Sequence, residues 1–375
     1  MENNKGERIQ MDLTGNAFTP NTILVVGNGF DLHCEIKSRF SDYYSKVCLS
    51  TVQAFYLAYK REDYEDALTR LQSNPKTINF WSFLLFVHYY GEDEEYKIKG
   101  IKDSNWFDIE NLIRVSLTEP IQNGFGLEQY INESIKALQT KRSVRDQYLG
   151  NVRRNPYIFF PFLQKAAISN PIDYLLQELH KFEDSFKEYM KGQIDSEYPL
   201  RCHNALVKMI GEDSDFIDII NFNYTEIVDE IFVNNQTNVH GRIDEEEIII
   251  GIDSDGAPDK ISVFTKTFRN LHRSKTSFKL PANIEDIVFY GHSLADADFS
   301  YFYSLFDMYN LYGGQLKLRF LYSDYCASES ENERNHTNYV NHVYRLINKY
   351  SARSHNETNL LHRLLLEGRV FVKRI

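Results

Sequence analysis

Apolar positions along this chain fall into two patterns. Short apolar runs bounded by polar or turn residues recur at ILVVG (23–27), DFIDIINFN (215–223), EIIIGID (247–253), DIVFYGHSL (286–294), LKLRFLYS (316–323) and RVFVKRI (369–375). Their length and their β-branched and aromatic content predict buried strands. Between the first and second runs, roughly 38–212, the spacing is helical instead. In 172–191, Ile172, Leu175, Leu176, Leu179, Phe182, Phe186 and Met190 share one face, and Pro171 stands where a helix can start. Residues 39–59 and 127–139 are spaced in the same way. LLHRLLLEG predicts a helix stopped by Gly368 just before the last strand.

Strands that alternate with helices predict an α/β fold: a Rossmann-like, doubly wound and mostly parallel sheet. The expected organisation is a polar N-terminal arm (1–20), a sheet domain from 21–38 and 213–375, and a large helical insertion subdomain (39–212) after the first strand.

Composition narrows the classes of function. The chain has 375 residues, 42% of them hydrophobic, enough for one large core or two ordinary ones. Its formal net charge of -11 argues against a nucleic-acid partner, since phosphate binding needs a basic field; Lys141-Arg142 and Arg153-Arg154 are only local exceptions. The four cysteines, at 34, 48, 202 and 326, form no CxxC pair, which argues against a zinc ribbon and for a reducing compartment. No signal-length or membrane-length apolar stretch is present, so a cytoplasmic chain with no membrane partner is expected.

Candidate chemistry sits at four predicted strand ends. In GNGFD, Gly27, Asn28 and Gly29 follow the first strand. Gly-x-Gly before a helix lets the backbone approach a pyrophosphate, but Leu32 stands where the dinucleotide fingerprint needs a third glycine. A bare tight turn, with Asp31 as a helix N-cap, explains the same residues. In NFNYT, Asn221 and Asn223 alternate with Phe222, and an amide there can hold a water or a ribose hydroxyl; an Asx turn leading into a helix at 226–233, capped by Thr225, is the alternative. His240 in NVHG is a candidate for proton transfer, although a lone His-Gly is more often structural. In FYGHSLADADF, Gly291 and Ser293 lie past a strand, and Asp296 and Asp298 read as caps of the following helix.

The order Gly-x-Gly, Asn-Tyr-Thr, Val-His-Gly, Gly-His-Ser-Leu resembles the sirtuin-like NAD-binding fold. On that resemblance Asn223 falls on the family's Asn, Thr225 replaces an Asp, His240 falls on the catalytic His, and Gly291, Ser293 and Leu294 match Gly-Thr-Ser-Leu with His292 in place of Thr. The four-cysteine zinc module of protein-deacylating sirtuins is missing. A closer resemblance, over most of 22–325, is to the AbiH-type bacteriophage abortive infection proteins. It rests on NGFDLH, a W-x-D-x-E element (Trp106, Asp108, Glu110), FNYT, VHG and GHSLADAD. These resemblances imply a role in phage defence and, for related sirtuin-like defence proteins, NAD hydrolysis.

On this reading Asn223, His240 and Asp31 carry the chemistry. Gly27, Asn28, Gly29, Phe30, Asn221, Tyr224, Thr225, Gly291, His292, Ser293 and Leu294 bind the nucleotide. NAD is then substrate or ligand, and no further cofactor or metal is required. The expected partners are NAD or a related nucleotide, a phage-derived trigger or partner defence protein, and a second copy of the chain. A sensor that binds NAD or ADP-ribose without cleaving it is the competing expectation.

Overall fold

The computed structural model describes residues 10–11, 17–18, 21–61, 63–90, 108–122, 170–210, 217–273, 280–323, 329–353 and 359–375. The expected helix at 127–139, Trp106, the two basic pairs and Cys326 lie outside the described residues. The chain divides into a sheet unit (1–36, 193–242 and 273–375) and a helical unit (37–192 and 243–272).

The sheet unit is built on six parallel strands: β1 (Thr22–Val26), β2 (Ile217–Asn221), β3 (Val233–Asn238), β4 (Asp286–Tyr290), β5 (Lys317–Tyr322) and β6 (Val370–Arg374). Their spatial order is β3-β2-β1-β4-β5-β6. This is the order of a doubly wound dinucleotide-binding sheet, whose direction of growth reverses between β1 and β4. β1 and β4 are buried along their whole length, as expected of central strands covered on both faces. One face carries Ile23, Val25, Ile287, Phe289, Leu318 and Phe320 into a core completed by Phe302 and Phe306 of the helix Phe299–Met308 and by Leu346 and Ile347 of the helix Glu329–Arg353. Leu360–Leu366 ends in a Schellman motif. Gly368, at φ +62°, donates to Leu365 (3.2 Å), and Arg369 donates to Leu364 (2.8 Å).

Two expectations are corrected. VNNQTN forms an edge strand, β3, where the end of a 226–233 helix was expected, and residues 226–232 are loop and turn. EIIIGID lies outside the six-stranded sheet. Ile248, Ile249, Ile250 and Ile252 are buried in the helical unit, and Ile252 makes only an isolated bridge to Thr265. An apolar run reports burial, and burial alone does not require a ladder.

The helical unit centres on Pro171–Lys191, which presents Leu175, Leu179, Phe182, Phe186 and Met190 to its core. Asn170 caps its start, its side chain accepting from the amides of Ile172 (3.0 Å) and Asp173 (3.4 Å), with Pro171 in the first turn. Residues 39–59 are helical as expected, with a π-helical turn at Tyr44–Cys48. Trp81 donates its indole N–H to Leu175 (3.0 Å). Among the described residues no helix is long and apolar enough to cross a membrane.

Candidate functional site

Strand register fixes which residues can meet. Asn238 pairs with Asn221, Asn221 with Val26, and Val26 with Tyr290, so four strands end in one row. Two positions beyond that row stand Asn28, Asn223, His240 and His292. All four candidate segments therefore leave the same carboxyl edge, at the point where strand order reverses, which is where open α/β sheets place ligands.

The glycines let two of these segments touch. A Cβ on Gly27 would lie 2.6 Å from the Cα of His292, and one on Gly29 would lie 2.5 Å from the Cα of Gly291. Gly27 donates its amide to Tyr290 O (3.1 Å), Gly29 to Gly291 O (2.7 Å) and Phe30 to Gly27 O (2.8 Å). The start of the helix Asn28–His33, whose N-cap is Gly27 and not Asp31, is thus laced to the turn after β4, with these amides committed within the fold. Gly291 itself has φ +67°, a conformation that favours glycine.

Asn223 joins the same point from β2. Its side-chain nitrogen donates to Gly27 O (3.0 Å), and its backbone amide donates to Asn221 Oδ1 (2.8 Å) in an Asx turn. Asn238 Nδ2 donates to Asn223 O (2.9 Å), tying β3 to the turn.

Next to it lies a second cluster. Asp298 places Oδ1 3.0 Å from His240 Nε2 and Oδ2 3.3 Å from His292 Nε2. All three residues are buried. The Phe222 ring stands edge-on to both imidazoles, with centroids 5.5 and 4.8 Å away. His292 Nδ1 accepts from the Leu294 amide (2.9 Å), and Leu294 is held at φ +52°, left-handed and unfavourable for a leucine. Asp298 is the residue the sequence did not yield. It occupies the N-cap of Phe299–Met308, as its acidic run predicts, but makes no capping bond and turns to the histidines instead. Asp296 is not a capping group either; it pairs with Arg345 and with Lys349 (3.1 Å).

Asp31 and Thr225 meet elsewhere. Thr225 Oγ1 donates to Asp31 Oδ1 (2.7 Å), and Tyr198, invisible as a candidate in the sequence, contributes its hydroxyl at 3.3 Å. Burial pushes Asp31 up to about 7, with these two hydroxyls pulling the other way. Thr225 therefore caps no helix. Phe30 and Leu294 belong to the buried interior, Tyr224 is half-buried, and Ser293 is exposed, with its carbonyl 2.9 Å from His342 Nδ1. Gly27, Gly29, Asn223, Gly291 and His292 are brought into contact, with His240 joined to them through Asp298. Among the described residues no cluster of three or more His, Cys, Asp or Glu is arranged to hold a metal ion.

No curated protein and no solved structure matches the chain. A family model, described as Bacteriophage abortive infection AbiH, matches residues 23–322, a span that takes in all four strand-end segments. The chain belongs to the AbiH family of bacteriophage abortive infection proteins.

Proposed function

We propose that this AbiH chain is an antiphage effector that binds NAD at the carboxyl edge of a sirtuin-like sheet and hydrolyses it to nicotinamide and ADP-ribose. The observation that carries the reading is the register row. It sets an amide (Asn223) and an imidazole (His240) at matching positions beyond adjacent strands, beside a glycine turn at the strand-order reversal.

The bond broken is that between nicotinamide and ribose C1′, and a water oxygen takes its place. Nicotinamide leaves from a cationic ring, so its departure needs no acid, and the transition state is oxocarbenium-like. Asn223 orients the water or a ribose hydroxyl. His240 takes the proton released as the water adds. Gly27, Gly29 and Gly291 let the segments after β1 and β4 pack together and so hold the two strand ends in register beside the site. A phage-derived trigger or a partner defence protein would switch the effector on, and self-association would let copies act together.

The test is nicotinamide release from NAD by the pure full chain, repeated with extract from phage-infected cells if the chain alone is silent. Asn223→Ala and His240→Ala should each abolish release while circular dichroism shows both variants still folded. Wild-type rates in both variants would sink the assignment. NAD or ADP-ribose bound without products, under both conditions, would replace the hydrolase with a sensor.

A further inference from the structure

We infer that Asp298, with His292 beside its second oxygen, is the positioning residue that fixes the ring tautomer of His240, leaving Nδ1 as its proton-accepting atom. The chain of constraints starts at the backbone. The Leu294 N–H points at His292 Nδ1, 2.9 Å away, so that nitrogen must carry a lone pair. The His292 proton therefore sits on Nε2, which lies 3.3 Å from Asp298 Oδ2. Oδ1, a carboxylate oxygen that can only accept, faces His240 Nε2 at 3.0 Å, so that nitrogen carries the proton and donates it in a hydrogen bond. Neutral His240 then has its lone pair on Nδ1, the nitrogen a general base needs.

Two further observations support a built arrangement. Leu294 adopts φ +52°, and left-handed backbone on a non-glycine residue persists only where its surroundings over-determine it. Here that conformation aims its amide at His292. Gly27 is also required: a Cβ there would strike His292 Cα, Cβ and Cδ2, all within 2.9 Å. The GNG turn thus admits the second histidine as well as the turn that bears it.

The tautomer assignment stands whether or not NAD is the substrate; only its consequence for rate rests on the proposed hydrolysis. The closing experiment separates the two. In the ligand-free full chain labelled with 15N-histidine, long-range 1H–15N spectra report the protonated nitrogen of each ring, and the His240 signals are assigned by their loss in His240→Gln. The expected result is that His240 and His292, in their neutral forms, both carry the proton on Nε2. Asp298→Asn, whose amide can donate to Nε2, should turn His240 to Nδ1–H and lower nicotinamide release by at least about a hundredfold. A carboxylate can only accept, so His292→Phe alone should leave His240 as Nε2–H, whereas His292→Phe in the Asp298→Asn chain, where nothing then orients the amide, should leave His240 as a mixture of tautomers. His292→Gln in the Asp298→Asn chain, whose amide can donate to the side-chain oxygen at 298, should restore the single Nδ1–H form. A wild-type His240 protonated on Nδ1, or a His240 spectrum unmoved by Asp298→Asn, overturns the inference. Expected tautomers in a chain that never cleaves NAD would overturn the hydrolase reading and leave this one standing.

Discussion

Asp31, at the strand ends of the sheet unit, and Glu183, in the core of the helical unit, are both buried carboxyls, and their acidities move in opposite directions. Burial pushes Asp31 up to about 7, because its partners are the neutral hydroxyls of Thr225 and Tyr198. Burial acts on Glu183 in the same sense. There the Arg269 guanidinium, with His180 and the Ile250 amide (2.7 Å), more than offsets it and holds the carboxyl below its usual range. Buried Lys266 likewise pairs with Glu110 (2.8 Å), a residue of the W-x-D-x-E element. The helical unit answers each of these charges with an opposite charge, which makes a fixed brace. At the strand ends Asp31 has only neutral partners, so its protonation state can change near neutral pH.

The sharpest way to break this contrast is Arg269→Met. It leaves Glu183 buried without its cation and should lower stability by about 3–5 kcal/mol in urea unfolding, with Glu183→Leu in the same chain recovering most of the loss. A single-variant loss below about 1 kcal/mol, the range of exposed pairs, would mean that the pair braces nothing. Because the folded Glu183 is the stronger acid, its contribution is present above the usual carboxyl range and is lost as pH falls through the lower folded value.

Asp31 should show the opposite slope. The native carboxyl holds its proton to higher pH than the unfolded one, so its contribution is complete below pH 3.8 and is lost as pH rises to about 7. At about 1.4 kcal/mol per unit, Asp31→Asn should be more stable than wild type by about 2–4 kcal/mol above pH 7 and equal to it near pH 4. Urea melts between pH 4 and 8 read this directly, and parallel curves for the two proteins would remove Asp31 from the argument.

Gly29→Ala pits local preference against tertiary contact. Helix propensity alone favours alanine by about 1 kcal/mol. The added Cβ would meet the Cα of Gly291 at 2.5 Å. A net loss of about 1–3 kcal/mol in thermal or urea unfolding is expected, and any gain would show that the two turns are not pressed together. The smallest effect should be Asp298→Asn, which keeps hydrogen-bonding atoms in place and should change stability by less than about 1.5 kcal/mol. A loss as large as that of Arg269→Met would make the histidine cluster a second brace.

How much of this was legible from the chain follows from what each signal reports. β1, β2, β4 and β5 were legible because their residues are buried and apolar enough to stand out, and β6, where only Val370 is buried, because its β-branched and aromatic residues follow the Gly368 stop. β3 was not: at the sheet's edge VNNQTN is mostly solvated, so no apolar run marks it. EIIIGID was apolar for a different reason, the core of the helical unit. The helices at 171–191 and 360–366 carried their own start and stop chemistry, in Asn170-Pro171 and in Gly368, and needed no distant partner to be found.

The sequence by itself determined the regime of each segment, through local periodicity and burial: strands alternating with helices, and candidate residues collected just past the strands. It could not say what the glycines of GNGFD are for. Phosphate approach and a bare turn were both open. The tertiary structure adds that Gly27 and Gly29 admit the Gly291-His292 turn within van der Waals distance. Nor could it find Asp298, whose acidic run fits a helix cap equally well, because only the folded chain brings a carboxylate from one strand end between histidines from two. Local order is encoded in neighbours along the chain. A site built where four strands stop depends on register and crossover, which become physical only when the sheet closes.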